Sequence, residues 1–130
     1  MSTVFIIDDD PIHQRIAQIM IEKHQLFDTY SSYTDASKAI DFLKLNSHQL
    51  DVLPDVILLD LNMPVFDGWD FLDRYEPIEP LLKKSINVYI VTSSVDEKDK
   101  AKAQTYSFVK GFISKPLSPD VIRNTAQHFQ

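Results

Sequence analysis

The sequence of 130 residues contains no cysteine and only two glycines, Gly68 and Gly111. Without cysteine the chain can form no disulfide, no thiolate metal site and no thiol nucleophile. Two glycines so far apart cannot build a glycine-rich phosphate-binding loop. No apolar run approaches the roughly 20 residues that cross a bilayer, so we expect no membrane-spanning segment and no membrane partner.

Basic residues are outnumbered by acidic ones, 13 against 19, which gives a formal charge of −6. Nucleic acids and anionic membrane surfaces bind clustered Lys and Arg, so we expect neither as a partner. Hydrophobic residues make up 44 %, which is typical of a folded domain with its own core. The first apolar run begins almost at the N-terminus and leaves no room for a signal peptide. We therefore expect a single domain over residues 1–130, without an output domain, in the cytoplasm.

Short apolar runs alternate along the chain with polar stretches of helical spacing. The runs are residues 4–7, 26–30, 56–59, 88–91 and 111–113. Runs of this length suit strands that are covered on both faces, as in parallel sheets. Their alternation with helices is the βαβ pattern, so the sequence predicts an α/β fold of (βα)5 type.

Helix starts and inward faces can also be predicted. The start signals are Asp10-Pro11, Thr34, Asp67-Gly68, Ser94 with Glu97 in capping-box spacing, and Ser118-Pro119. The inward faces are Ile12, Ile16, Ile19 and Met20 in the first helix, Ala36, Ile40 and Leu43 in the second, and Val121, Ile122, Thr125 and Phe129 in the last. The third helix is predicted to end before Pro77 and Pro80. Segment 76–86 is predicted to be a plain loop, with a partner surface as the alternative.

Charged and hydroxyl side chains follow the predicted strands. Asp8 and Asp9 follow the first strand, and Asp60 ends the third. Thr92 ends the fourth strand and Lys115 follows the fifth. The carboxyl ends of parallel strands meet at one edge of the sheet, where ligands bind near the point of strand-order reversal. We therefore expect these five side chains to face one crevice.

This combination of residues suits phosphoryl transfer to a carboxylate. Three carboxylates close together repel one another, and with Lys115 they sum to about −2, which one Mg²⁺ would balance. Magnesium prefers carboxylate and carbonyl oxygens. In-line transfer needs a nucleophile and neutralised phosphoryl oxygens. The pattern predicts Asp60 as the nucleophile, with Mg²⁺, Lys115 and the Thr92 hydroxyl holding the oxygens.

Taken singly, each of these residues also has a simpler interpretation. Asp10 is predicted to be a helix cap rather than a ligand. Asp8 and Asp9 can be solvated loop acids, and Lys115 can be a salt-bridge partner of Asp60. The histidines lack metal-ligand spacing and are predicted to be surface residues: His13, His24, His48 and His128. Trp69 is predicted to serve in packing or partner contact. The coincidence of the acids, Thr92 and Lys115 at strand ends favours the phosphoryl-acceptor hypothesis.

The chain resembles the response-regulator receiver domains of two-component signalling along nearly its whole length. The matching motifs are the acidic pair Asp8-Asp9, Leu58-Leu59-Asp60-Leu61-Asn62-Met63-Pro64 followed by Asp67-Gly68, Ile90-Val91-Thr92, and Lys115-Pro116. The resemblance, to chemotaxis-type single-domain receivers, implies a flavodoxin-like, doubly wound sheet of five parallel strands in the order 2-1-3-4-5. Residues 106–110 depart from the family, which often has a small residue and a glycine before the fifth strand.

The resemblance also implies roles for individual residues. Asp9 and Asp60 would bind Mg²⁺ directly, Asn62 through its backbone carbonyl, and Asp8 mainly through water. Phe112 would be the aromatic switch that follows the movement of Thr92. The Lys115–Pro116 peptide bond is expected to be cis.

The predicted function is that of a stand-alone receiver, a phosphorylation-controlled binding module. It would be no enzyme beyond self-catalysed phosphoryl acceptance and hydrolysis. The resemblance implies a histidine kinase or a phosphotransfer protein as donor, and an output protein that is bound or receives the phosphoryl group in a relay. One alternative is a small aspartyl-phosphate phosphatase of the haloacid dehalogenase type. That family has a second acid two residues after the nucleophile, where this chain has Asn62. The other is a receiver-like module that binds partners without phosphorylation.

Overall fold

The computed structural model describes residues 2–93 and 96–127, and within them parallel strands form one sheet with helices on both faces. The strands are β1 Thr3–Ile7, β2 Thr29–Tyr33, β3 Val56–Asp60, β4 Asn87–Thr92 and β5 Val109–Ser114. Their order is β2-β1-β3-β4-β5, and every neighbouring pair is parallel. The predicted strand order is confirmed, and β3 lies at the centre of the sheet.

The helices cover the two faces of this sheet. They are α1 Pro11–His24, α2 Ala36–Leu45, α3 Gly68–Tyr75, α4 Glu97–Ala103 and α5 Pro119–Gln127, with a 3-10 turn at Glu79–Leu81. Alternate residues of β1 serve opposite faces, because successive strand side chains point to opposite sides. Val4 and Ile6 pack with the buried residues of α1 and α5, whereas Phe5 and Ile7 pack with those of α2 and α3. None of the described helices is long and apolar enough to span a membrane.

The second strand, Thr29–Tyr33, begins three residues later than the predicted apolar run at 26–30. Phe27 is buried ahead of β2, in the core under α1, and Leu26 packs partly against the same core. The strand itself, Thr-Tyr-Ser-Ser-Tyr, lies at the edge of the sheet and is only partly buried. The prediction was wrong here because an apolar turn entering the core precedes an edge strand that needs few apolar residues.

Two helix caps differ from the predicted ones. Asp10 caps α1 as predicted, accepting a hydrogen bond from the Ile12 amide at 2.9 Å. The cap of α2 is Asp35, not Thr34, and its carboxylate accepts from the Ser37 amide at 2.9 Å. The cap of α4 is Asp96, whereas the predicted cap, Ser94, lies outside the described residues. In both helices a carboxylate one or two residues later took the place of a hydroxyl.

The predicted inward face of α1 is wrong. Ile12, Ile16 and Ile19 are 68 %, 45 % and 46 % exposed, and only Met20 of the predicted stripe packs partly against the core. The buried residues of α1 are Gln14, Ala17 and Ile21. The small Ala17 allows close approach to the sheet, and the Gln14 side chain donates to three backbone carbonyls, of Ile6, Asp8 and Tyr33. The helix is rotated by these hydrogen bonds, which leaves an isoleucine stripe facing outward.

The other predicted faces are confirmed within the described residues. Ala36, Ile40 and Leu43 of α2 are buried, as are Ile122 and Thr125 of α5. Val121 is half-buried against the same core, and Phe129 lies outside the described part of the chain. Helix α3 ends at Tyr75, before Pro77, as predicted. Segment 76–86 is anchored rather than free, because Ile78 and Ile86 are buried. Lys84 also pairs with Asp55 at 3.2 Å.

Candidate functional site

The acidic residues predicted from the sequence are brought together at one edge of the sheet. Asp8 and Asp60 follow Ile7 and Leu59, which are paired in the register of β1 and β3. One carboxylate oxygen from each of Asp8, Asp9 and Asp60 lies within 4.8 Å of the others. Asp8 and Asp60 are buried, whereas Asp9 is half-buried at the mouth of the site. The crevice predicted from the strand ends is therefore present.

The Asp60 carboxylate is held at both oxygens. Its Oδ1 accepts from the Asn62 amide at 3.1 Å, and its Oδ2 accepts from the Lys115 ammonium at 3.3 Å. Burial raises the pKa of the Asp60 carboxyl above its ordinary value, because a low-dielectric surrounding disfavours the charged form. The Asn62 amide opposes this rise, the negative charge of Asp8 adds to it, and Lys115 opposes it. Asp60 is thus a fixed and comparatively basic carboxylate.

Lys115 links the acids to the fifth strand. Its ammonium lies 3.3 Å from Asp8 Oδ2 and 3.3 Å from Asp60 Oδ2, and its side chain is 16 % exposed. The Lys115 amide donates to the Thr92 carbonyl at 2.9 Å, so the backbone continues the pairing of β4 and β5 beyond the strands. The Lys115–Pro116 bond is cis, as predicted. The lysine is a partner of two carboxylates rather than of Asp60 alone.

Thr92 and Phe112 lie on neighbouring strands beside the acids. Thr92 is 1 % exposed and pairs with Ser114, two residues beyond the pair of Ile90 with Phe112. Phe112 is half-buried against the core on the α2 and α3 face. The Asn62 side-chain amide lies 3.5 Å from the Thr92 hydroxyl oxygen. All the predicted site residues therefore lie along the carboxyl ends of β1, β3, β4 and β5.

Gly68 fixes the loop that carries Asn62. A β-carbon at position 68 would lie 2.7 Å from the Asp60 carbonyl oxygen and 2.8 Å from the Leu61 α-carbon. The Gly68 amide donates to the Leu61 carbonyl at 3.1 Å. Asp67 and Asp70 then form a reciprocal capping box at the start of α3. The absence of a side chain lets α3 begin directly against the strand end that bears the acceptor.

Two residues at the site were missed by the sequence reasoning. His13 is half-exposed, as a surface residue would be, but its Nδ1 lies 3.2 Å from the Lys115 ammonium. Gln14 is buried and its hydrogen bonds shape the turn from β1 into α1. The signal for His13 was available, because a helix capped by Asp10 places its first turn beside Asp8 and Asp9.

Residues 106–110, where the sequence departs from the family pattern, pack onto α3 through aromatic side chains. The Tyr106 hydroxyl donates to Asp73 at 2.5 Å, and its ring stacks on Trp69 with centroids 6.5 Å apart. The Phe108 ring meets Tyr75 edge to face at 4.7 Å. We call Trp69, Tyr75, Tyr106 and Phe108 the aromatic cluster. It ties the segment before β5 to α3, and it assigns Trp69 to packing.

Comparison with known proteins identifies the class. Residues 4–127 match the response regulator receiver domain family, so the chain belongs to that family. The two-component response regulator ORR1 of Oryza sativa is 30 % identical over 126 residues, which cover 95 % of this chain and 53 % of that protein. The chain thus spans about half the length of this relative.

Solved structures agree with this assignment. A two-component response regulator from Cytophaga hutchinsonii is 28 % identical with a TM-score of 0.80, covering 98 % of this chain and 96 % of that one. A response regulator receiver protein from Dyadobacter fermentans is 25 % identical with a TM-score of 0.84, covering 99 % and 98 %. Membership of this family replaces the haloacid dehalogenase alternative.

The residues present fit a magnesium ion. Receiver domains in general bind Mg²⁺ through acidic residues, and this chain offers the cluster of Asp8, Asp9 and Asp60. All three supply oxygen atoms, the ligand type that magnesium prefers. The charge of the three carboxylates exceeds the single compensating charge of Lys115, so a divalent cation would stabilise the cluster.

Proposed function

We propose that Asp60 accepts a phosphoryl group from a histidine kinase or a phosphotransfer protein in two-component signalling. The single observation that carries this proposal is the position of Asp60. It ends the central strand, with Asp8 and Asp9 beside it and the Lys115 ammonium 3.3 Å from its Oδ2. Family membership supports the class of donor.

The chemistry follows from this arrangement. A carboxylate oxygen of Asp60 forms a bond to phosphorus while the phosphorus–nitrogen bond to the donor histidine breaks, and its electron pair stays on the imidazole. Lys115 and the Thr92 hydroxyl donate to the phosphoryl oxygens. Asp9, Asp60 and the Asn62 carbonyl would hold Mg²⁺ directly, and Asp8 would hold it through water. When bound there, the ion would supply positive charge to offset that of the transferring group.

The outward stripe of α1 gives the donor a surface to contact. A donor histidine must approach to within roughly 3 Å of Asp60, so the donor protein has to cover the mouth of the site. Beside that mouth lies an open cavity of about 340 Å³, lined by Asp8, His13, Ile16, Ser93, Lys115, Pro116 and Leu117. Ile12 is also exposed on the first turn of α1. We propose that the donor protein covers this apolar border, which accounts for the exposed isoleucines.

The response to phosphorylation is proposed to run through Thr92 and Phe112. A phosphoryl group adds about −1.5 to −2 of charge and three strong acceptors. Thr92 would move toward it, and the Phe112 ring would fill the vacated space. The surface of α4, β5 and α5 would then change shape and alter partner binding. Of the residues of α4, which are all described, only Ala103 is buried, so this helix can shift at small cost.

Phosphoryl acceptance is tested by mass spectrometry after incubation with phosphoramidate and Mg²⁺. The wild-type protein should gain one labile phosphoryl group, and Asp60→Asn should gain none. Asp41→Asn is the matched control, because Asp41 is an exposed acid of α2 away from the site. An unchanged adduct in Asp60→Asn would move the acceptor elsewhere. Absence of an adduct in the wild type would favour a receiver-like module that binds without phosphorylation.

The switch is tested by amide NMR with and without beryllofluoride, a phosphoryl mimic. In the wild type, shifts should spread from Asp60 to Phe112 and α4. In Thr92→Ala they should stay near Asp60, because the hydroxyl that pulls on β4 is missing. Equal shifts around Phe112 in both proteins would refute the coupling.

The single-domain arrangement remains a prediction. The protein detected in its own cells should have the mass expected of 130 residues, and a larger product would show that further domains are attached. The phosphoryl group would in either case turn over only on Asp60, without action on a separate substrate.

A further inference from the structure

Among the described residues, the ammonium group of Lys115 has three hydrogen-bond neighbours, and one of them is not an acid. Two are Asp8 Oδ2 and Asp60 Oδ2, both at 3.3 Å. The third is His13 Nδ1 at 3.2 Å, the shortest of the three contacts. An ammonium has three N–H donors and no acceptor, so these three neighbours match its full donor capacity.

This contact defines what the imidazole does. An ammonium can only donate, so in a hydrogen bond between these two groups Nδ1 of His13 is the acceptor. The same Nδ1 lies farther from the carboxylates, at 3.4 Å from Asp8 and 3.6 Å from Asp10. The His13 ring thus places a nitrogen against the Lys115 ammonium from the first turn of α1.

We propose that His13 is a positioning residue that holds the Lys115 ammonium at the acceptor site. The inference rests on the proposed function of Asp60. A phosphoryl group on Asp60 and a metal ion held by Asp60 and Asp8 would compete with the contacts that Lys115 makes to these carboxylates. The His13 contact involves neither group, so it keeps the long lysine side chain within reach of the phosphoryl oxygens. Without it Lys115 has more rotamers available and donates less often to the transferring group.

The test uses three substitutions that separate the acceptor from the ring. His13→Phe keeps a flat ring but has no acceptor, and His13→Ala removes both. His13→Asn keeps an acceptor, because its Oδ1 stands close to the position of Nδ1. The control is His24→Phe, an exposed histidine at the far end of α1. Each protein is phosphorylated with phosphoramidate and Mg²⁺, and the rate is followed by mass spectrometry.

The phenylalanine and alanine variants should react about five-fold more slowly, the effect of one exposed hydrogen bond. His13→Asn and His24→Phe should stay close to the wild-type rate. In parallel, NMR of the lysine side-chain ammonium, assigned with Lys115→Arg, is recorded without any phosphoryl donor. The Lys115 signal should be seen in the wild type and His13→Asn, and broadened by solvent exchange in His13→Phe and His13→Ala.

Two results would overturn the inference. One is a wild-type rate and a sharp ammonium signal in His13→Phe. The other is an equal loss of rate in His13→Asn and His13→Phe, since a role in bulk or access would not distinguish an acceptor. If the wild type gains no phosphoryl group at all, the proposed function fails, and the ammonium signals alone still decide whether His13 holds Lys115.

Discussion

Gly68→Ala should damage both the stability and the site of this protein. The added β-carbon would lie 2.7 Å from the Asp60 carbonyl oxygen and 2.8 Å from the Leu61 α-carbon. Both neighbours are backbone atoms, so no side-chain rotation can relieve the overlap. A third neighbour, the Leu61 Cδ2 at 3.0 Å, can move. Either α3 or the end of β3 has to shift, and the end of β3 carries Asp60.

The expected magnitude follows from two opposing effects. Overpacking in a tight core costs about 1–3 kcal/mol. Alanine favours helix over glycine by up to about 1 kcal/mol, and by less at the first helical residue. We expect a net loss of about 2 kcal/mol in the free energy of unfolding, or about 8 °C in Tm. Binding of Mg²⁺ should weaken as well, since the shift moves Asp60 and the Asn62 carbonyl.

Gly111→Ala is the matched control, because Gly111 is the other glycine of the chain. In the part of the chain that the structure describes, its β-carbon would meet only the Tyr89 ring, at 3.5 and 3.6 Å, which is ordinary van der Waals contact. Alanine also restricts the unfolded chain, so we expect a gain of about 0.5 kcal/mol. Thermal unfolding followed by circular dichroism measures both variants with and without Mg²⁺. Equal stability of the two variants would refute the argument from close approach.

The aromatic cluster and Asp60 provide two further predictions. Tyr75→Phe should raise the free energy of unfolding in urea by about 1 kcal/mol, because the buried Tyr75 hydroxyl has no hydrogen-bond partner among the described residues. Tyr106→Phe should lower it by about 1.5 kcal/mol, because the hydrogen bond to Asp73 is lost. Changes of the same sign in the two variants would contradict this. Asp60→Asn, measured without metal, should be more stable than the wild type at neutral pH. Because the pKa of Asp60 is raised in the folded state, the wild-type protein loses stability as pH rises from the ordinary pKa of aspartate to the raised folded value. Asp60→Asn has no charge to bury, so its advantage in the free energy of unfolding should grow over the same pH range. A constant difference in stability between the two proteins from about pH 3 to 7 would show that burial does not raise the pKa of Asp60.

The core strands and the acidic site could be predicted because each depends on a local pattern and one topological rule. The apolar runs of β1, β3 and β4 are buried on both faces, so they are visible in the sequence. Parallel strands then place Asp8, Asp60, Thr92 and Lys115 at one edge, whatever the loops do. The edge strand β2 could not be located so well, because an edge needs fewer apolar residues.

The orientation of α1 could not be predicted, because it depends on a buried polar residue. Isoleucines at helical spacing are typical of a core face, and by that pattern Ile12, Ile16 and Ile19 belong inside. The hydrogen bonds of Gln14 to three carbonyls at the ends of β1 and β2 select the opposite face. An amide that donates to backbone carbonyls at the strand ends stabilises the fold by an interaction that hydrophobic periodicity does not contain. The same rotation sets His13 beside Lys115, so the missed residue and the wrong face have one cause.

The unequal anchoring of α3 and α4 then indicates where a change at Asp60 can travel. Helix α3 is fixed by Gly68 against the strand end and by Tyr75 and Tyr106 in the aromatic cluster. Helix α4 buries only Ala103, and its Lys102 ammonium rests on the Trp69 ring at 4.4 Å, a contact worth about 0.5–1 kcal/mol at an exposed position. If Asp60 accepts a phosphoryl group as proposed, we expect the weakly anchored α4 to move more readily than α3. Movement of α4 relative to a fixed α3 would break the contact of Lys102 with Trp69.

The fluorescence of Trp69, the one tryptophan in the sequence, should therefore change when beryllofluoride is added to the wild type and remain unchanged in Lys102→Met. A Lys102→Met protein that gives the full wild-type response would place the moving element elsewhere than α4.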